Sequence, residues 1–153
     1  MSYVKKTLQN GEIVELTAKL HWINYITSFL LFILAGLLWL YYIIPDDEYN
    51  KSDIFWLVLF FAGWGGYQFL KLWVIEMAVT NKRVVLRKGI IAIDTDELKN
   101  TKIEGIEVEQ SVMGRILNYG NVCFGGVGVG KLVFTNVSRP LEIKRRAEEI
   151  VGE

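Results

Sequence analysis

The sequence predicts a membrane α-hairpin followed by a β-rich cytoplasmic domain of six to seven antiparallel strands with a C-terminal helix. Three observations lead there. Two long apolar runs, Trp22 to Ile44 and Ile54 to Leu70, lie in the first half of the 153 residues. The second half carries short segments rich in Val, Ile and Phe, separated by Gly and Asn, as strands and turns are. The final segment instead repeats its apolar positions at helical spacing.

The first run holds no charged residue from Trp22 to Ile44. As a helix it reaches roughly 35 Å, enough to cross a hydrocarbon core of about 30 Å. The second is uncharged from Ile54 to Leu70; Lys71 interrupts it before Leu72 to Ile75. A lysine near a helix end carries its ammonium to the headgroups along its own methylenes, so the second span is read as about 54–73. A signal peptide would have a shorter run nearer the first Met and a small-residue cleavage site. This run starts at residue 22 and ends in Tyr41-Tyr42-Ile43-Ile44-Pro45. Two buried core helices of this kind would leave too little chain to cover them.

Orientation follows from the basic residues. The loop Pro45 to Asp53 carries Asp46, Asp47, Glu48 and Asp53 against Lys51, whereas Lys5, Lys6 and Lys19 precede the first span. Lys71, Lys82, Arg83, Arg87 and Lys88 lie at and after the end of the second. The excess of Lys and Arg marks the cytoplasmic side, so both termini are expected inside and the loop outside. Trp22, Tyr25, Trp39, Tyr41, Tyr42, Trp56 and Trp73 lie toward the span ends, where aromatic rings favour the interface. Ala62, Gly63 and Gly66 make a smooth stretch on the second helix, read as its contact with the first helix or with another copy. Neither span has an ionisable group near its middle, which argues against an ion path.

The expected organisation is residues 1–21 as a strand joining the cytoplasmic domain, 22–75 as the hairpin and 76–153 as that domain. Ile13 to Leu20 alternates, with Val14, Leu16, Ala18 and Leu20 on one side. Met77 to Thr80 and Arg83 to Leu86 read as strands about an Asn81-Lys82 turn; Gly89 interrupts and Ile90 to Ile93 resumes. Lys102 to Glu109 alternates with Ile103, Gly105 or Ile106, and Val108 inward. Ser111 to Asn118 suits a short helix or turn, and Tyr119 to Phe124 and Val129 to Phe134 are two further strands. In the last helix Ser138 serves as N-cap, Pro140 sits in the first turn, and Ile143, Ala147, Ile150 and Val151 form one apolar face.

The order Gly11-Glu12, Leu20-His21-Trp22, Thr80-Asn81-Lys82-Arg83-Val84, Gly89, Gln110-Ser111 and Gly114-Arg115-Ile116-Leu117-Asn118-Tyr119-Gly120 spans nearly the whole chain. In this order and spacing the chain resembles the bacterial membrane-flanked pleckstrin-homology-like family. The resemblance implies a pleckstrin-homology-like antiparallel barrel closed by a C-terminal helix, in a membrane setting. It implies no catalytic residue.

Few residues suit covalent or metal chemistry. His21 is the only His and Cys123 the only Cys, so no internal disulfide and no zinc site is expected. Cys123 between Val122 and Phe124 reads as a small buried hydrophobe. His21 beside Trp22 reads as interfacial. Asp94, Asp96 and Glu97 read as a solvated loop, and Tyr119-Gly120-Asn121 as a turn. Gly125, Gly130 and Lys131 match G-x-x-x-x-G-K, but Leu132 stands where a phosphate loop needs Ser or Thr, and Leu132-Val133-Phe134 reads as a strand. A glycine-rich hairpin turn accounts for it.

The basic residues Lys71, Lys82, Arg83, Arg87 and Lys88 are the candidate lipid-headgroup contacts. The plainer account of them is topology alone; the sharper one is a headgroup pocket built from Lys82, Arg83 and Arg87. With 17 basic and 17 acidic residues overall, no net charge draws the chain to nucleic acid. The expected function is a non-enzymatic interaction or scaffold module, without cofactor, anchored in the bacterial inner membrane. Its expected partners are the bilayer, anionic headgroups, or another copy or membrane protein; the alternative is a lipid-headgroup or small-ligand-binding protein. A cysteine introduced at Asp47 should react with an impermeant thiol reagent added to intact cells. One introduced at Gly152 should react only after lysis, and the reverse pattern would invert the topology.

Overall fold

A computed structural model describes residues 7–43, 51–126 and 128–152. Residues 22–73 form one compact unit, and the described residues on either side of them form the other. Most of the expected outer loop, residues 45–50, lies outside the described residues.

In the helical unit a 3-10 turn, Trp22–Tyr25, leads into α1, Ile26–Ile43, and α2 runs Lys51–Trp73. By length and composition both are able to cross a membrane, and only 11% and 6% of their apolar windows is buried. They pair antiparallel, with Tyr25 against Phe69 near one end and Tyr42 against Phe55 near the other. The buried residues of α1 are Ser28 and Ala35, two turns apart. Opposite them the close approach falls on Gly65, where a Cβ would lie 3.3 Å from Leu31 Cβ and 3.5 Å from the Phe32 ring. A small residue here lets the backbones meet. Gly63 and Gly66 do not make this contact with α1, since a Cβ at either would meet nothing within 4 Å; Ala62 is half-buried. At 100° per residue, turning Gly65 to Leu31 rotates Gly63 and Gly66 away from it.

The β-rich unit holds two antiparallel sheets. The first runs β1 (Val14–Ala18), β2 (Glu76–Thr80), β3 (Arg83–Lys88), β4 (Asp94–Lys99) in that order. The second runs β5 (Ile103–Glu109), β6 (Tyr119–Gly126), β7 (Val129–Ser138), with the short helix α3 (Val112–Leu117) between β5 and β6. The last helix, α4, spans Pro140–Gly152. β1 lies beside β2, with Ala18 opposite Met77. A register shift between Val14 and Leu16 turns Val14 to the outer face, against Ala78 and Val85.

The expected closed barrel is corrected to two sheets meeting at one seam. Beyond β1 the chain bridges Leu20 to Val137, with the Ser138 N–H donating to the Lys19 carbonyl at 3.0 Å and the His21 N–H to Asn136 at 2.9 Å. On the other side β4 and β5 are joined by the 3-10 turn Asn100–Lys102 and are not neighbours in a ladder. Side chains pack there instead: Leu98 sits over Gly126, where a Cβ would come within 2.9 Å of Leu98 Cδ1. The core between the sheets contains Met77, Val79, Val84, Leu86, Phe124 and Phe134, and the two phenyl rings meet edge to face at 5.0 Å. α4 closes it with Ile143 and Ala147 buried and Ile150 and Val151 packed against them.

Two strand assignments change. Ile90 to Ile93 is the β3–β4 loop, and the acidic segment Asp94–Lys99 is the strand, with Lys88 opposite Asp94 and Val84 opposite Leu98. Cross-strand pairing and one buried Leu override the low strand preference of Asp, Glu and Lys. In β5 a register shift between Ile103 and Gly105 makes Ile106 the buried residue. Ser138 ends β7; Arg139, at φ +54°, leads into α4 and its carbonyl accepts from the Glu142 and Ile143 N–H groups. Deleting residues 1–18 would uncover the β2 edge and part of the core. The expected result is faster proteolysis within residues 76–152 while the helical unit stays resistant; equal resistance with and without those residues would show β1 to be dispensable.

Candidate functional site

The β2–β3 turn organises the polar centre of the domain. The Thr80 hydroxyl accepts from the Arg83 N–H at 3.0 Å and the Lys82 N–H at 3.2 Å. Its single proton goes either to Glu12 Oε1 at 2.9 Å or to the Arg83 carbonyl at 2.8 Å. Asn81 works like a length of strand: its Oδ1 accepts from the Ile13 N–H and its Nδ2 donates to the Gly11 carbonyl, both at 3.0 Å. Asn100 Nδ2 donates to the Thr80 carbonyl at 2.9 Å.

Arg83 occupies the middle of this network. Nε donates to Glu12 Oε1 at 2.9 Å and Nη2 to Oε2 at 3.2 Å. Nη1 donates to Glu97 Oε2 at 2.6 Å, and Nη2 also reaches the Thr7 carbonyl at 2.7 Å. The Glu12 side chain is fully buried and that of Arg83 is 10% exposed. Burial by itself pushes the Glu12 carboxyl up. Hydrogen bonds from Arg83, from the Gln9 N–H and from Thr80 outweigh it, and the carboxyl rests below its ordinary value. The bond to Glu12 raises the already basic Arg83 further.

The four expected headgroup residues of the β-rich unit, Lys82, Arg83, Arg87 and Lys88, are not gathered into one pocket. Arg83 is enclosed as described, and Lys82 Nζ bonds to the Asn10 carbonyl at 2.6 Å. Arg87 stands opposite Glu76 and Thr95, and Lys88 opposite Asp94; four residues of strand put Arg87 about 13 Å from Arg83. Lys71 belongs to the last turn of α2. What the 80–83 turn does line is a cleft of about 510 Å³, rimmed by Lys82, Lys99 and Lys102. The partners Glu12, Glu97 and Asn100 were not singled out as site residues from sequence; only the adjacency of Glu12 to Gly11 in the family pattern pointed toward the first.

Elsewhere the chemistry is structural. Cys123 is buried, which pushes its thiol up. His21 is buried and stacked on Tyr119 at 5.1 Å. Gly126 stands opposite Val129 across the glycine-rich turn, β7 follows it directly, and Lys131 bonds to Glu107 at 3.2 Å. No helix N-terminus follows these glycines, as a phosphate loop requires. Among the described residues no group of three His, Cys, Asp or Glu is placed to hold a metal.

A family model described as a bacterial PH domain matches residues 18–150, from the end of β1 through both apolar helices to α4. No curated protein and no solved structure matches the chain.

Removing one member of a buried ion pair costs about 3–5 kcal/mol, because the other charge stays buried. Arg83→Ala should destabilise the domain by about that amount, and Arg83→Lys should recover little, since an ammonium cannot hold both oxygens of Glu12 together with Glu97 and Thr7. The Glu12 contribution is present above the unfolded carboxylate value of about 4.3 and is lost as pH falls through the lower folded value. Glu12→Gln should therefore weaken the domain at neutral pH and flatten its acid-induced loss of stability. Amide hydrogen exchange of β2 and β3 is the suitable readout, because all five Trp residues lie in residues 22–73. Unchanged exchange in Arg83→Ala would remove the ion pair from its central role.

Proposed function

From the premise that the chain belongs to the bacterial PH domain family, we propose that it is a membrane-anchored, non-enzymatic interaction module presenting its domain at the inner leaflet. The observation that carries this is the surface of α1 and α2. Phe29, Leu30, Ile33, Leu37, Phe60 and Trp64, among others, are exposed on it. Soluble monomers rarely expose contiguous apolar patches above a few hundred Å², and a core helix of a soluble protein would be mostly buried rather than almost bare. Lipid is the solvent in which such a surface is at rest. The hydrogen bonds about Arg83 support a scaffold: a guanidinium held by Glu12, Glu97 and the Thr7 carbonyl keeps a fixed shape. Lys71, Arg87 and Lys88 stay as proposed headgroup contacts, at about 1 kcal/mol each near an anionic leaflet.

The cleft at the 80–83 turn favours a second reading. Its lysines lie at the end of the first sheet opposite the one where the chain passes to the helices, since Thr80 stands opposite Val14 while Ala18 stands opposite Met77. A small soluble anion would reach it more easily than a headgroup.

Alkaline carbonate extraction of cell membranes tests the anchoring: the chain should stay in the pellet, and release into the supernatant would overturn it. Calorimetric titration of the detergent-solubilised chain with inorganic pyrophosphate tests the cleft. Binding lost in a Lys99→Ala, Lys102→Ala variant would support the second reading, and the absence of binding heat in the wild type would end it.

A further inference from the structure

The exposed apolar side chains of the β-rich unit are gathered at one end. Apart from Ile13, every large one among its described residues lies on the β3–β4 loop, on α3 or at Leu141. The loop spans Gly89 to Ile93 between Lys88 and Asp94, which stand opposite each other. Glu76, where β2 begins, stands opposite Arg87. The loop is therefore at the end of the first sheet where β1 finishes and β2 starts. In the second sheet α3 joins Glu109 to Tyr119, and Tyr119 stands opposite Ser138 and stacks on His21. Both points where the chain passes to the apolar helices, after His21 and before Val74, belong to this same end.

Both projections are shaped from within. Gly89 has φ +99°, and a Cβ there would fall 1.9 Å from the Ala92 carbonyl oxygen, so the loop is a tight turn that only glycine allows. It leaves Ile91 94% exposed. The hydroxyl of Ser111 accepts from the Gly114 N–H at 3.0 Å, and Asn118 ends α3 in the left-handed conformation. Gly114 lies against the Tyr119 carbonyl, where a Cβ would come within 2.7 Å. With only Gly114 of the helix buried, α3 presents Val112 and Ile116, 78% and 70% exposed, with Arg115 exposed beside them.

We propose that the Gly89–Ile93 loop and α3 insert into the headgroup–acyl boundary of the bilayer that α1 and α2 cross, docking the domain on lipid at two points. This rests on the membrane reading above. Lipid is the occupant that fits, because the exposed side chains here are apolar and both chain connections to the two apolar helices leave from this end. Apolar burial is then what the surface of the loop and α3 offers, beside the headgroup contacts proposed for Arg87 and Lys88. Its position beside both chain connections holds it at the interface with little further loss of freedom.

The test uses the full chain in a Cys123→Ala background, one copy per nanodisc of phosphatidylcholine and phosphatidylglycerol containing spin-labelled lipid. A single environment-sensitive fluorophore is placed on Ile91→Cys, Ile116→Cys, Ile13→Cys or Leu34→Cys. Lipid quenching is expected at positions 91, 116 and 34 and not at 13. Quenching at 34 with aqueous signals at 91 and 116 would overturn this inference and leave the membrane hairpin standing; an aqueous signal at 34 would overturn the membrane reading itself. Shielding of 91 and 116 that appears only when two copies share a disc would assign the surface to a second copy and also overturn the proposal.

Discussion

The guanidinium of Arg83 ties together every strand of the first sheet. It belongs to β3, binds Glu12 just before β1 and Glu97 on β4, and shares Glu12 with Thr80 of β2. A sheet whose order is β1-β2-β3-β4 has β1 and β4 at its edges, and hydrogen bonds to one neighbour are all that secure an edge strand. In a closed barrel the edges would secure one another. Here closure is by one bridge on one side and by side chains on the other, so the buried ion pair supplies the missing constraint. Its net worth in stability is modest compared with a well-packed apolar core, because both ions lose water; what it confers is register and position.

This explains why some of the architecture was legible in the sequence and some was not. The apolar helices, β2, β3 and α4 are elements whose pattern alone dictates their burial: Ile143 and Ala147 fall inward because helical spacing leaves them no other face. β4 is different. Asp94, Asp96 and Glu97 have no strand preference of their own and become a strand through the partners that β3 offers them. Ile90, Ile91 and Ile93 have that preference and form a loop, because Gly89 turns the chain before they can pair. A strand pattern read locally exchanges the two.

The candidate site shows the same division. Lys82 and Arg83 are adjacent in sequence and bear the same charge, which makes a surface patch the natural reading. Glu12 and Glu97 overturn it for Arg83, and Glu12 is separated from it by both apolar helices in the chain. No local window contains that partner. Likewise Gly65 differs from Gly63 and Gly66 only in the rotation of α2 about its axis, which depends on Leu31 and Phe32 of the other helix.

The pairing of β1 with β2 has a consequence for the order of folding. The two strands are joined through both apolar helices, so as an unstructured chain the loop to be closed has about 60 residues, and loop-closure entropy grows with the logarithm of that length. β1 leaves the ribosome long before its partner exists. Once α1 and α2 have paired antiparallel, the chain ends that enter and leave them are close, and the effective loop shrinks to a few residues. Three halvings of loop length return about 2 kcal/mol. Prior pairing of the two helices therefore lowers the entropic cost of bringing β1 to β2, which favours an order in which the helical unit assembles before the first sheet closes.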